Sequence, residues 1–254
     1  MRQDYPILEF DPTRKALIEP GKLIKREDIP KRGVVCFFQD VLDGLVERGT
    51  LTQVSTSKSE IGLHPIYAME VDGKGVTVFH PGVGAPLAIG LLEEAIAKGV
   101  DRFVACGGAG VLDSGLGLGH VVVPTAAIRD EGASYHYLPP SREAYPSAEA
   151  IAAIELVLKR HQVSYVTSKT WTTDAFYRET PDKIAMRRGE GCLTVEMEAA
   201  SFFAVATFRE VTFGQILYGG DDVGGETWDS RTWNRQTSVR EKLFWLAAEA
   251  VLEL

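Results

Sequence analysis

The sequence predicts a single α/β domain in which a twisted, mostly parallel (mixed) central sheet is flanked by helices. Three observations carry this. Short β-type runs alternate along the chain with longer amphipathic ones, the order expected when helices cross over between parallel strands. Several of the short runs are continuously apolar, as in strands covered on both faces. And 254 residues with 45 % hydrophobic content are enough for one large core.

Residues 1–33 are polar and broken by Pro6, Pro12, Pro20, Gly21 and Pro30, so an N-terminal arm with little regular structure is expected ahead of a domain spanning 34–254. GVVCFF (33–38) is a strand buried on both faces, and residues 40–48 follow as a helix. VTVFHPGVG (76–84) is a strand running into a glycine turn. PLAIGLLEEAIAKG (86–99) is an amphipathic helix with Pro86 in its first turn and Gly99 as its stop. RFVACGG (102–108) and HVVVPTAAI (120–128) are further strands, and Ser147 is placed to cap the helix 147–160. YVTSKTWTT (165–173) and TFGQILYGG (212–220) are strands. LTVEMEAASFFAVATFR (193–209) begins extended and becomes helical, and 237–254 is a long terminal helix.

The formal net charge of -8 and the lack of a long basic run argue against a nucleic-acid partner. Cys36, Cys106 and Cys192 are far apart and form no C-x-x-C pair, so buried reduced thiols are expected rather than a zinc knuckle or disulfide framework. The N-terminal stretch carries charge and proline but no apolar signal-peptide core, and the apolar runs are too short to span a bilayer, so a cytoplasmic chain with no membrane partner is expected. Glycine clusters end three strands, at Gly82/Gly84, Gly107/Gly108/Gly110 and Gly219/Gly220, which together suggest a small-molecule site. None is a P-loop or a complete dinucleotide loop. There is no G-x-S-x-G elbow, and the five histidines show no ligand spacing, so no metal and no organic cofactor are expected.

The segment VEMEAAS (195–201) resembles the ribose-binding signature of the nucleoside phosphorylase family, which includes uridine phosphorylases, hexameric purine nucleoside phosphorylases and methylthioadenosine nucleosidases. Residues 80–100, 106–137 and 172–180 resemble the same family in the same chain order, and the resemblance covers roughly 34–254. Glycosidic cleavage passes through a sugar cation, which carboxylates on the ribose hydroxyls hold and stabilise. Glu196 and Glu198 are two apart and share a face only if extended, which places them at a strand-to-helix junction. The resemblance implies that Glu198 grips the ribose hydroxyls, Met197 packs under the sugar and Glu196 assists. It places Phe176 and Tyr177 around the base, with Arg178 near the position of a uracil-holding Gln-x-Arg pair. It also makes Asp222 the counterpart of an aspartate that donates a proton or hydrogen bond to a purine's N7.

The chain departs from the phosphorolytic pattern. FQDVLD (38–43) replaces the G-D-P-x-R loop, so Asp43 stands where a phosphate-holding arginine is expected. Ala105 replaces a second arginine, and Gly108 replaces a hydroxyl. Two readings follow. In the first, phosphate is held by Arg129, by Arg178, or by Lys and Arg from a neighbour's N-terminal arm, with backbone amides available at Gly82, Gly84, Gly107 and Gly108. Alternatively water is the nucleophile, with Asp43 or Asp40 as base. A nucleoside phosphorylase is the expectation, with nucleoside and phosphate or water as its small-molecule partners, in a homo-oligomer (dimer or hexamer). A hydrolytic nucleosidase and a non-catalytic nucleoside binder are the alternatives.

Overall fold

A computed structural model describes residues 2–254. The arm holds a 3-10 turn at Pro6–Leu8 and one short helix, α1 (Pro20–Leu23). Then follow β1 (Arg32–Cys36), α2 (Gln39–Glu47), β2 (Thr52–Ser59), β3 (Gly62–Val71), β4 (Lys74–Phe79), α3 (Ala85–Lys98), β5 (Arg102–Val111) and β6 (Val121–Asp130). The second half runs β7 (Glu143–Ala144), α4 (Ala148–Arg160), β8 (Tyr165–Thr173), α5 (Pro181–Gly189), β9 (Cys192–Glu196), α6 (Ala199–Arg209), β10 (Thr212–Asp222) and α7 (Thr237–Leu252).

The sheet is mixed. β1 runs parallel to β4 and β5, β10 to β5, β6 to β8, and β8 to β9. The pairs β2–β3, β3–β4, β5–β9, β6–β7 and β6–β10 are antiparallel, a larger share than the strand–helix alternation implied. Strands β5, β10, β6, β8 and β9 close into a ring, and β1, β4, β3 and β2 extend from it as an open wing.

Side-chain parity divides the core. Val34, Cys36, Val104 and Cys106 pack on one face with Leu42, Leu45, Ile154, Leu158 and Phe244 from α2, α4 and α7. Val35, Phe103 and Ala105, one residue out of phase, pack on the other with Leu92, Phe202 and Phe203 from α3 and α6. All three cysteines are buried and unpaired. Gly99 ends α3 at φ 123, as a stop should. Ser147 precedes α4 but does not cap it with its side chain: its Oγ accepts the Phe213 N–H at 3.0 Å and ties α4 to β10.

Candidate active site

β5 changes partner along one edge. β1 pairs with its first half, ending at Cys36↔Cys106, and β9 joins at Gly110 and Val111. Between these, at residues 107–109, that edge carries no strand partner among the described residues. Gaps of this kind at strand ends are where α/β sheets bind ligands. A cavity of about 740 Å³ opens there, within the usual size of a small-molecule site. Gly108 to Gly110 of β5, Val195 and Glu196 of β9, Met197, and Gly220 and Asp221 of β10 line it. Phe176, Tyr177 and Glu179 from the turn after β8 line it too, with Arg188 of α5 and Trp228 and Trp233 from the segment after β10.

The two signature acids are built into the β9–α6 junction. Glu196 ends the strand, and its carboxylate accepts the N–H groups of Glu198 (2.8 Å) and Ala199 (2.6 Å) at the start of α6, where the helix dipole favours an anion. Thr172, directly across on β8, donates its hydroxyl to Glu196 at 2.7 Å and accepts the Ala200 N–H at 3.0 Å. Glu198 is 5 % exposed. Its Oε1 accepts the Gly84 N–H at 2.6 Å, which clips α6 to the turn between β4 and α3. Burial raises the pKa of both carboxyls above the ordinary carboxylate range, and the charge of Glu196 raises that of Glu198 further.

The turn itself is fixed by glycine. Gly82 (φ 78) and Gly84 (φ 88) hold left-handed backbone, and the Gly82 N–H donates to His80 Nδ1 at 2.9 Å. That leaves His80 Nε2 to donate to the Phe37 carbonyl at 3.2 Å, a neutral ring, consistent with burial lowering its pKa. The amides of Gly82 and Gly84 are therefore already engaged within the chain.

Of the residues singled out in the sequence, Gly108, Phe176, Tyr177, Glu196 and Met197 meet in the cavity, and Glu198 lies directly behind Met197. The others stand elsewhere. Arg129 is buried under the turn 133–141, with its guanidinium donating to Ser134, Leu138, Pro139 and Ser141, so it has no arm to spare for phosphate. Arg178 is exposed and off the cavity wall. Gly107 lies beneath Phe37. Asp43 is exposed on α2 because Val41, Leu42 and Leu45 take the buried face, and it accepts only the Gln39 side chain at 2.7 Å. Asp40 pairs with Arg240 at 3.0 Å. Asp222 is 7 % exposed and points away from the cavity: it pairs with Arg231 at 2.7 Å and accepts the Gly224 N–H, fastening the segment after β10. Its neighbour Asp221, on the opposite side of β10, is the acid that lines the cavity.

Sequence reading assigned no role to Glu179, Asp221, Arg188, Trp228 or Trp233. Glu179 follows the matched Phe176 closely, and that nearness was the available signal. A Cβ on Gly108 would stand 3.1 Å from the Tyr218 ring, a tight approach that a small residue avoids.

The family model described as the phosphorylase superfamily matches residues 31–250. The chain belongs to the phosphorylase superfamily. Among its relatives, guanosine phosphorylase from Halorubrum lacusprofundi is 29 % identical over 74 % of this chain and 77 % of its own. Uridine phosphorylase from Escherichia coli is 32 % identical, over 42 % of this chain and 43 % of its own. The solved structure of uridine phosphorylase from Vibrio fischeri, in complex with 6-hydroxy-1-naphthoic acid, superposes with a TM-score of 0.77 at 22 % identity, covering 92 % of this chain and 99 % of that one. The superfamily fold thus accounts for the ring of strands and its wing. Among the described residues no helix is long and apolar enough to cross a membrane.

Proposed function

We propose that this chain cleaves the N-glycosidic bond of a nucleoside, with phosphate as acceptor, giving free base and sugar 1-phosphate. The observation that carries the reading is the carboxylate pair Glu196/Glu198 held at a helix start beside an aromatic-lined cavity. The pair holds the ribose hydroxyls and offsets the positive charge that grows on the sugar as the bond breaks. Met197 lies under the sugar, and Phe176, Tyr177, Trp228 and Trp233 supply flat surfaces for the base. The domain 34–254 carries the reaction, and the arm 1–33 packs against it or against a neighbour in a homo-oligomer.

The phosphate site is rebuilt rather than inherited. Arg240, in the first turns of α7, is a cation that the fold brings to the end of β1. It pairs with Asp40, its guanidinium lies 4.8 Å from the centre of the Phe38 ring, and its Nε is buried with no partner among the described residues. On this reading Arg240→Ala raises the KM for phosphate with little change in nucleoside binding. Hydrolysis is the second reading, favoured by the engagement of the Gly82 and Gly84 amides inside the chain. The test is product analysis with and without phosphate. Base release that requires phosphate and yields sugar 1-phosphate supports phosphorolysis. Equal release without phosphate, yielding free sugar, establishes hydrolysis.

A further inference from the structure

β6 ends on Asp130, Glu131 follows it, and side-chain alternation sends the two acids to opposite sides. Ile128 and Asp130 face α5. Ile128 shares a cluster with Ile184, and Asp130 Oδ2 accepts the Trp171 indole N–H at 3.0 Å and the Lys183 and Arg187 side chains at 3.1 Å each. Ala127 and Glu131 face α6. Ala127 shares a cluster with Ala199 and Ala200, and Glu131 Oε2 accepts the Ser201 hydroxyl at 2.6 Å. The same oxygen accepts the Ser134 N–H at 2.9 Å, and the Ser134 hydroxyl donates to Oε1. Ser134 Oγ in turn accepts the Arg129 Nε–H at 2.9 Å, so a cation balances the buried carboxylate through one hydroxyl. Arg129, Glu131, Ser134 and Ser201 are all buried, and none of them lines the cavity.

The link to the ribose acids is the start of α6. Its first three residues are each held by a different strand end: the Ala199 N–H by Glu196 of β9, the Ala200 N–H by Thr172 of β8, and the Ser201 hydroxyl by Glu131 beyond β6. Thr172 also donates to Glu196, so the first two anchors lean on each other. Glu131 has no hydrogen bond to either of them among the described residues and holds the helix from a third point. Glu198 immediately precedes α6, so its carboxylate moves with this first turn. We propose that Glu131 is a positioning residue for Glu196 and Glu198: it does not touch the substrate, and through Ser201 it fixes the helix start from which those carboxylates hold the sugar hydroxyls. This rests on the nucleoside-cleaving reading above. A preorganised group loses its effect when the shell that supports it lets it shift, even by a fraction of a bond length.

The experiment measures kcat/KM for guanosine, inosine, adenosine and uridine and for their 2′,3′-dideoxy counterparts, which lack the hydroxyls that the carboxylates hold. Wild type, Ser201→Ala, Glu131→Ala and Asp130→Asn are compared, and binding of each nucleoside is measured alongside by equilibrium dialysis. A misplaced grip on the hydroxyls slows cleavage of the ribonucleoside and spares its dideoxy counterpart. Ser201→Ala and Glu131→Ala are therefore expected to lower the ribo-to-dideoxy ratio of kcat/KM about 10-fold or more. Asp130→Asn, which loosens α5 on the other side, is expected to slow both sugars alike. A general loss of stability would also slow both alike, so the ratio separates positioning from mere structure. If Glu131→Ala does not fold, Ser201→Ala, which removes a single hydroxyl, decides alone. A ratio unchanged in Ser201→Ala, or lowered as much in Asp130→Asn, overturns the inference and leaves the nucleoside-cleaving reading standing. No base released from any nucleoside overturns that reading instead. In that case a binding margin of ribonucleoside over dideoxynucleoside that falls in Ser201→Ala supports the positioning role, and a margin unchanged or absent overturns it.

Discussion

Glu198 concentrates the chemistry of one residue. It is buried, it accepts two backbone N–H groups, and a second carboxyl stands beside it. Glu198→Gln keeps an acceptor for the Gly84 N–H but cannot ionise. Turnover is therefore expected to fall at least ~100-fold with the fold intact, as when one preorganised stabiliser is lost. Burial also sets a pH dependence. Glu179, Glu196 and Glu198 all have folded-state pKa values raised above the unfolded value of 4.5. The native state then holds protons that the unfolded chain has released. Their contribution is full below about pH 4.5 and is lost as pH rises through about 7 for Glu179 and Glu196 and through about 8 for Glu198. Melting temperature is expected to decline from about pH 5 to about pH 8, and Glu198→Gln to decline less; a curve flat in both proteins would contradict the burial argument. Glu196, Met197 and Glu198 stood out in the sequence because VEMEA resembles the family's ribose-binding signature and two acids two apart share a face on an extended segment. Asp221 and Glu179 were not legible. Which of two adjacent aspartates faces the cavity depends on the phase of β10, and Glu179 reaches the cavity only through the turn after β8.

At the scale of elements, the site depends on two junctions. The first is β8–β9–α6, where the Thr172 hydroxyl both donates to Glu196 and receives the Ala200 N–H. Thr172→Val keeps the shape and removes both bonds in a buried place. It is expected to cost about 1–3 kcal/mol in denaturant unfolding and to lower turnover by freeing Glu196 to rotate. The second is the turn from β4 into α3. Gly82→Ala would force a side chain into left-handed backbone and within 2.3 Å of Leu87 Cδ2, so a loss of about 1–3 kcal/mol is expected. The runs 33–38, 102–108 and 212–220 were readable as strands because both their faces are covered and their interiors are almost wholly apolar, Gln215 excepted. The β2–β3 hairpin escaped notice for the opposite reason. It is largely exposed or half-buried on both faces, contains Pro65, and shows no clean alternation. Helix α5 is short and strongly charged, and it packs mainly through Ile184 and Arg187.

Over the whole molecule, the parity of β1 and β5 side chains splits the interior into two helical layers, and the ring of five strands holds the cavity where β1 leaves β5 and β9 joins it. Alternation of strands and helices foretold the layers. The closure of the ring was hidden, since it rests on the antiparallel pairings of β10 with β6 and β5 with β9, and pairing leaves no mark in hydrophobic period. The outer surface exposes Leu17, Ile18 and Leu23 on the arm and Ile61 and Leu63 at the hairpin tip. Light scattering is expected to give a dimer or larger assembly, and Leu17→Glu with Ile18→Glu to shift it toward monomer.

The central claim, cleavage of a nucleoside at the Glu196/Glu198 site, is tested most directly by chromatographic measurement of free base released from guanosine, inosine, adenosine and uridine in the presence of phosphate, using wild type and Glu198→Gln side by side. The expected result is base release by the wild type and at least ~100-fold less by Glu198→Gln. Release undiminished in Glu198→Gln, or none from any of the four by the wild type, would contradict it.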